Sequence, residues 1–193
     1  MRYTRSVRLL VVLALLAACG SSEPKLEDYG QVPAFALKDQ TGAVLDQTWL
    51  AGHVTIVDFV FTRCDTICPV LSMKMAHLDE RTKDLADVRL LSFSVDPAYD
   101  TPAVLAEYAT HYGADPARWR FVTGEYDNVK TLVEGALMTA MDPAGTTESG
   151  APDIRHGGHF LLVDRDLHIR GVYDSSEEAR LDALVRDARR LAR

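Results

Sequence analysis

Cysteine, basic charge and long apolar runs are all scarce in this chain, and each shortage narrows what it can be. Three cysteines stand among 193 residues, so thiol chemistry is confined to very few positions. Lysine and arginine number 21 against 28 aspartates and glutamates, a formal charge of −7. Removing Arg2, Arg5 and Arg8 with an N-terminal leader lowers that −7 by three, to about −10. A balance of that sign argues against binding nucleic acid or an anionic membrane surface, though it leaves room for a lipid anchor. The apolar run Leu9 to Leu16 falls well short of the roughly 20 residues needed to cross a bilayer. No second apolar segment, internal repeat or low-complexity tract follows it.

Three arginines followed by a short apolar core read as an export signal. The core ends in Leu16-Ala17-Ala18-Cys19-Gly20, which looks like a bacterial lipoprotein box and implies cleavage before Cys19 and lipidation of that residue. An ordinary signal peptide with nearby cleavage is the plainer alternative. A cysteine directly after Leu-Ala-Ala, with a polar stretch behind it, favours the lipobox. The expected organisation is a lipoprotein signal peptide (1–18), a lipid-anchored tether (19–31) and one domain (32–193). The expected location is extracytoplasmic, on the periplasmic side, anchored to a bacterial membrane. Roughly 160 residues suffice for one domain with a real core.

Along the domain, Ala34–Leu37 and Ala43–Leu45 flank Asp39-Gln-Thr-Gly42 and predict a short hairpin. Val54–Phe61 is β-branched and almost wholly apolar, a central buried strand. A helix is expected from Pro69 to about Lys83, since proline suits a first helical turn, then a strand over Val88–Val95. Asp100-Thr101-Pro102 offers an N-cap for a helix running to about His111. A strand over Arg118–Val122, a helix over Tyr126–Met138 and a Pro/Gly/Ser/Thr-rich loop from Asp142 to Asp153 come next. A hairpin of His159–Asp164 and His168–Tyr173 and a final amphipathic helix opening at Ser176 complete the chain. Such alternation predicts an α/β fold with a largely parallel sheet made mixed by the closing hairpin.

The remaining two cysteines sit in Phe59-Val-Phe-Thr-Arg-Cys64-Asp-Thr-Ile-Cys68-Pro69. Cβ atoms at i and i+4 on a helix lie about 5–6 Å apart, and a disulfide needs about 3.5–4.5 Å. A small adjustment of the turn would allow a disulfide; an open turn would let both sulfurs grip one soft metal ion. Ligands of open α/β sheets sit beyond the carboxyl ends of the strands, where Cys64 falls. The helix N-terminus beside Pro69, with Arg63 next door, predicts a thiolate easier to form than in a free thiol. Thiolates select Cu(I), zinc or iron–sulfur clusters. Two sulfurs leave zinc, which takes four ligands, incomplete, whereas Cu(I) accepts two or three.

A third ligand would come from the six histidines. His53, His77 and His111 occupy ordinary surface or helix positions. His156 and His159 flank Gly157-Gly158 just ahead of a strand, where glycine permits close backbone approach. Chemistry alone leaves open whether either is a ligand.

Cys64-Asp-Thr-Ile-Cys68-Pro69 after Phe59-Val-Phe-Thr62 resembles the Cys-x-x-x-Cys-Pro signature of the Sco/SenC family. Ser94-Val-Asp96-Pro97 with Asp100-Thr101-Pro102, Trp119-Arg-Phe121, and His156 ahead of Phe160-Leu-Leu-Val-Asp164 match it as well. The similarity spans about Pro33 to Tyr173. It implies a membrane-tethered, thioredoxin-like protein binding copper as Cu(I), and in some states Cu(II), through Cys64, Cys68 and His156. The family is associated with assembly of the dinuclear copper centre of cytochrome c oxidase, so the implied partner is a copper-accepting apoprotein, a subunit of that oxidase. His159 stands where many relatives have another residue and is expected as an extra or substitute ligand; Asp65 replaces a frequent proline. The resemblance also places Asp96 near the metal, although Asp-Pro turn formation accounts for it. Asp153 is expected to hold the ligand histidine from behind. Met73 and Met75 read as helix packing, and Trp119, Phe121 and Phe160 as core. The domain is expected to be a monomer.

Two other chemistries compete. An extracytoplasmic thiol–disulfide oxidoreductase would use Cys64 and Cys68 to keep target cysteines reduced, though dedicated thioredoxins place two residues between their cysteines, not three. A peroxidase is more remote, because Thr62-Arg63-Cys64 is one residue short of the peroxiredoxin spacing.

Overall fold

A computed structural model of the chain describes residues 25–64, 67–147 and 152–193. The expected leader, Cys19 and the Asp65–Thr66 pair between the cysteines lie outside the described residues.

Strand β1 (Ala36–Asp39) and β2 (Val44–Asp46) form the expected N-terminal hairpin. Gly42, at φ +82°, supplies the turn conformation that a side chain would resist. The hairpin is not a separate appendage: β1 also pairs antiparallel with β5 (Trp119–Thr123). The seven-stranded sheet runs β2-β1-β5-β4-β3-β8-β9, with β3 (Val54–Val60), β4 (Val88–Ser94), β8 (His159–Val163) and β9 (Ile169–Asp174). Strands β3, β4 and β5 are parallel; β8 runs antiparallel to β3 and pairs with β9. All seven residues of β3 are buried, as expected of a strand covered on both faces.

Helices α1 (Cys68–Thr82), α2 (Pro102–His111) and α4 (Glu178–Leu191) pack on one face, where Leu71, Met75, Leu78, Leu105, Leu181 and Leu184 meet Ile56, Val60, Leu90 and Phe160. The opposite face carries Val57, Phe59, Phe93 and Val122 against the hairpin residues Leu37 and Leu45 and the segment around Val129 and Val133. This is the thioredoxin-like mixed sheet flanked by helices. Trp119, Phe121 and Phe160 are core, and Trp119 Nε1 donates to Ser92 Oγ at 2.9 Å.

Four local expectations need correction. The helix expected over 126–138 is α-helical only as α3 (Tyr126–Lys130); it widens to a π-helical turn over Thr131–Ala136 and stops at Met138, at φ +53°. The N–H of Leu137 donates to the carbonyl of Leu132, five residues back, which is the widened geometry. The segment read as a loop contains a two-stranded ribbon, β6 (Asp142–Thr146) with β7 (Pro152–Arg155). Its prolines and glycine hide it from propensity, and an irregular register between Pro143 and Gly145 accommodates them. Helix α2 is capped by Thr101, whose hydroxyl accepts from Val104 N, not by Asp100. Met75 is fully buried but Met73 is 58% exposed: two residues apart on a helix face nearly opposite directions.

Candidate metal centre

The cysteines lie where β3 gives way to α1. After Val60 the chain leaves the sheet, and the Cys64 N–H donates to the Phe61 carbonyl at 3.2 Å, closing a tight turn. Ile67, at the N-cap position of α1, offers no side-chain cap. Instead the Cys68 N–H donates to Cys64 Sγ at 3.3 Å, so the Cys64 sulfur meets the positive end of the helix. Cys68 is buried, Cys64 is half-buried, and no disulfide joins them.

His156 reaches the same place from the other end of the chain. It follows β7 and precedes β8, whose pairing with β3 brings this connection over the cysteines. Its Nε2 lies 3.2 Å from Cys68 Sγ, and the Phe61 ring meets its imidazole edge-on, 5.6 Å between centroids. One ligand atom from each of Cys64, Cys68 and His156 falls within 4.8 Å of the others. The His156 Nδ1 is buried without a hydrogen-bond partner. Asp153 therefore does not hold it, contrary to expectation.

A family model described as SCO1/SenC matches residues 24–193. The chain belongs to the SCO1/SenC family. A putative copper-binding protein of Stutzerimonas stutzeri is 31% identical over 72% of this chain and 67% of its own length. Among solved structures, a SCO1/SenC family lipoprotein from Bacillus anthracis str. Ames superposes with a TM-score of 0.74 at 28% identity, covering 84% of this chain and 95% of that one. BsSco, described as a member of the Sco family of cytochrome c oxidase assembly proteins with a disulfide switch, gives the same TM-score and identity over 88% and 98%.

Within this SCO1/SenC domain, His159 does not join the cluster. Its Nε2 lies 3.0 Å from Thr139 Oγ1 and its ring packs against Phe59. Burial pushes its pKa down, helped by neighbouring His156. The reason is strand alternation: His159 opens β8 and points into the sheet face below the cysteines, with Phe59, while the loop before it carries His156 over them. His53, His77 and His111 lie outside the cluster too.

The expectation of an easily ionised thiol beside Pro69 is also corrected. The Cys68 thiol is pushed far up, first by its hydrogen bond with Cys64 and then by burial. In the metal-free reduced pair a proton thus stays on Cys68. A soft cation replaces that proton and reverses the preference.

Sequence reasoning missed the scaffold behind the turn. Asp100, fully buried, accepts from Thr62 N at 3.2 Å, Thr62 Oγ1 at 2.5 Å and Ser94 Oγ at 2.6 Å. Burial raises its pKa against those hydrogen bonds. Asp96 holds Arg63 Nε and Nη2 at 3.1 and 2.6 Å, and the Arg63 guanidinium lies over the Tyr99 ring at 4.2 Å. Both residues flanking the turn are thus tied to the segment after β4, with Asp96 acting on Arg63. The signal was present in Asp100-Thr-Pro102, but a helix cap explained it too readily.

Proposed function

We propose that Cys64, Cys68 and His156 hold one copper ion and pass it by ligand exchange to the apoprotein of the dinuclear copper centre of cytochrome c oxidase. The observation that carries this is the convergence of two sulfurs and an imidazole within 4.8 Å from segments 88 residues apart. Two thiolates and one imidazole suit Cu(I), and the imidazole also suits Cu(II). The buried, unpartnered Nδ1 indicates that Nε2 is the ligating nitrogen, because it faces the sulfurs. Supporting the reading are the family, a copper-binding relative and the assembly role stated for BsSco. Cargo rather than catalysis is the natural use of the site. Cys64 and His156 are both half-buried and Cys68 is buried, so an incoming thiolate meets one of the first two before Cys68.

The lipobox ending at Cys19 and the lipoprotein description of the Bacillus anthracis relative support an anchored, extracytoplasmic domain. Titrating Cu(I) into the reduced protein tests the ligand set. One equivalent should bind to the native chain and be lost readily to a competing chelator in Cys64→Ala, Cys68→Ala and His156→Ala. Retention at native affinity in all three would overturn the assignment.

A second reading, reduction of target disulfides by the dithiol, draws on the two adjacent, unbridged cysteines and on the disulfide switch named for BsSco. It predicts disulfide reductase activity that survives His156→Ala and dies with either cysteine.

A further inference from the structure

The loop that carries His156 is tied to helix α1 by a route separate from the copper ligands. Strand β7 ends at Arg155 and β8 begins at His159, so His156 stands between strands, followed by Gly157 and Gly158. Two glycines in succession leave the backbone unusually free, and the imidazole needs support from outside its own segment. The ladder between β8 and β9 supplies one anchor. Its end pair is His159 with Asp174, and one rung further on the Ser175 N–H donates to the Gly158 carbonyl at 3.0 Å. That rung pins the chain two residues from His156.

Ser175 is buried, and its own carbonyl accepts from the Lys74 ammonium. Lys74 is half-buried on α1. A cation donating to a carbonyl makes a stronger hydrogen bond than a neutral donor does. Cys68 and Lys74 share that helix, about 9 Å apart along its axis. At the start of the helix Ile67 meets the same loop: its Cδ1 lies 3.0 Å from where a Cβ on Gly158 would stand. The element that bears Cys68 thus grips Gly158 twice, directly through Ile67 and indirectly through Lys74 and Ser175. Apolar contact is non-directional, so the hydrogen-bonded route is the one that sets the register of loop against helix.

We infer that Lys74 is a positioning residue for the copper centre: by holding Ser175, and through it Gly158, it keeps His156 Nε2 over Cys68 Sγ. This rests on the proposed three-ligand site. With the strap cut, the glycines let the imidazole drift and copper is left on two sulfurs. Lys74 acts on the metal only through that imidazole.

The test is chelator competition for Cu(I) on the reduced full-length protein, in the native and in a His156→Ala background. Lys74→Met and Lys74→Leu both remove the donor and keep good helix formers in α1, while Lys74→Arg keeps a cationic donor. Lys74→Met and Lys74→Leu should each weaken binding about tenfold in the native background, and should have no further effect once His156 is gone. Lys74→Arg should recover most of the loss. Nitrogen NMR on isotope-labelled histidine gives a second readout. The His156 Nε2 signal should move on copper binding in the native protein and move less in Lys74→Met. Native affinity in both Lys74→Met and Lys74→Leu overturns the strap. An equal loss in the two backgrounds also overturns it, because the contact then serves the fold rather than His156. If His156→Ala alone binds copper as the native chain does, the ligand set fails, and the strap with it.

Discussion

Cys68 Sγ and His156 Nε2 stand 3.2 Å apart although 88 positions separate them in the chain. What closes that gap is the antiparallel pairing of β8 with β3 and the Gly157-Gly158 hinge. The hinge is tight: a Cβ on Gly157 would fall 2.2 Å from His159 Cε1. The His159 ring, fixed by Thr139 and Phe59, thus acts as a floor under the loop that carries His156.

Gly157→Ala should therefore displace His156 and weaken Cu(I) binding by about 10–100-fold, the usual penalty for disturbing a ligand's support. His159→Ala alone removes the floor without touching a ligand. In the double variant the methyl gains its space, so affinity should recover part of the loss. Chelator competition on the four proteins measures the coupling. Strict additivity would mean that the two side chains do not meet.

Asp100 predicts a stability effect. It is wholly buried and accepts from Thr62 and Ser94. Asp100→Ala strands the Thr62 N–H and two hydroxyls in the interior, each costing about 1–3 kcal/mol. A total loss of about 3 kcal/mol in urea unfolding is expected. Thr62→Val should lose less, because the backbone N–H keeps its acceptor. Copper affinity should fall in the same order, since the turn bearing Cys64 hangs from this contact.

These contacts show where the sequence was legible. Strand β3 and helix α1 could be read because an unbroken β-branched run followed by Pro69 has few other solutions, and the cysteine spacing placed the sulfurs at their junction. The resemblance, not the chemistry, chose His156 over His159. On paper both flank the same glycines, and only the inward turn of the first residue of β8 separates them. Met73 and Met75 could have been separated by helical phase. The ribbon of β6 and β7 could not, since its backbone pairing draws nothing from residues such as Pro143 and Gly145. Asp100 was hidden by degeneracy, because the same Asp-Thr-Pro letters serve a cap or a buried acceptor.

Met73 offers a surface test of that phase argument. Met73→Ser should change stability by no more than about 0.5 kcal/mol, as exposed substitutions do. Met75→Ala, at a position with no exposed surface, should cost about 2–5 kcal/mol. Thermal unfolding of the two variants side by side measures both.

Asp58 should make the domain less stable as pH rises. It sits in the middle of β3 with no exposed surface, and the neighbouring Ser92 offsets only part of the cost of burial. Burial pushes its pKa from 3.8 up to about 7. Between those values the folded chain keeps a proton that the unfolded chain has released. The unfolded state then binds fewer protons, and unfolding free energy falls with increasing pH. The penalty is absent below about pH 4, grows through the window and is complete above about pH 7. A shift of about three units corresponds to about 4 kcal/mol. Asp58→Asn, neutral at every pH, should lose this dependence. Relative to the native chain it should be more stable at pH 8 than at pH 4.5, by up to about 4 kcal/mol in the difference. Urea unfolding of both proteins at the two pH values checks it, and parallel profiles would mean that Asp58 stays ionised in the folded core.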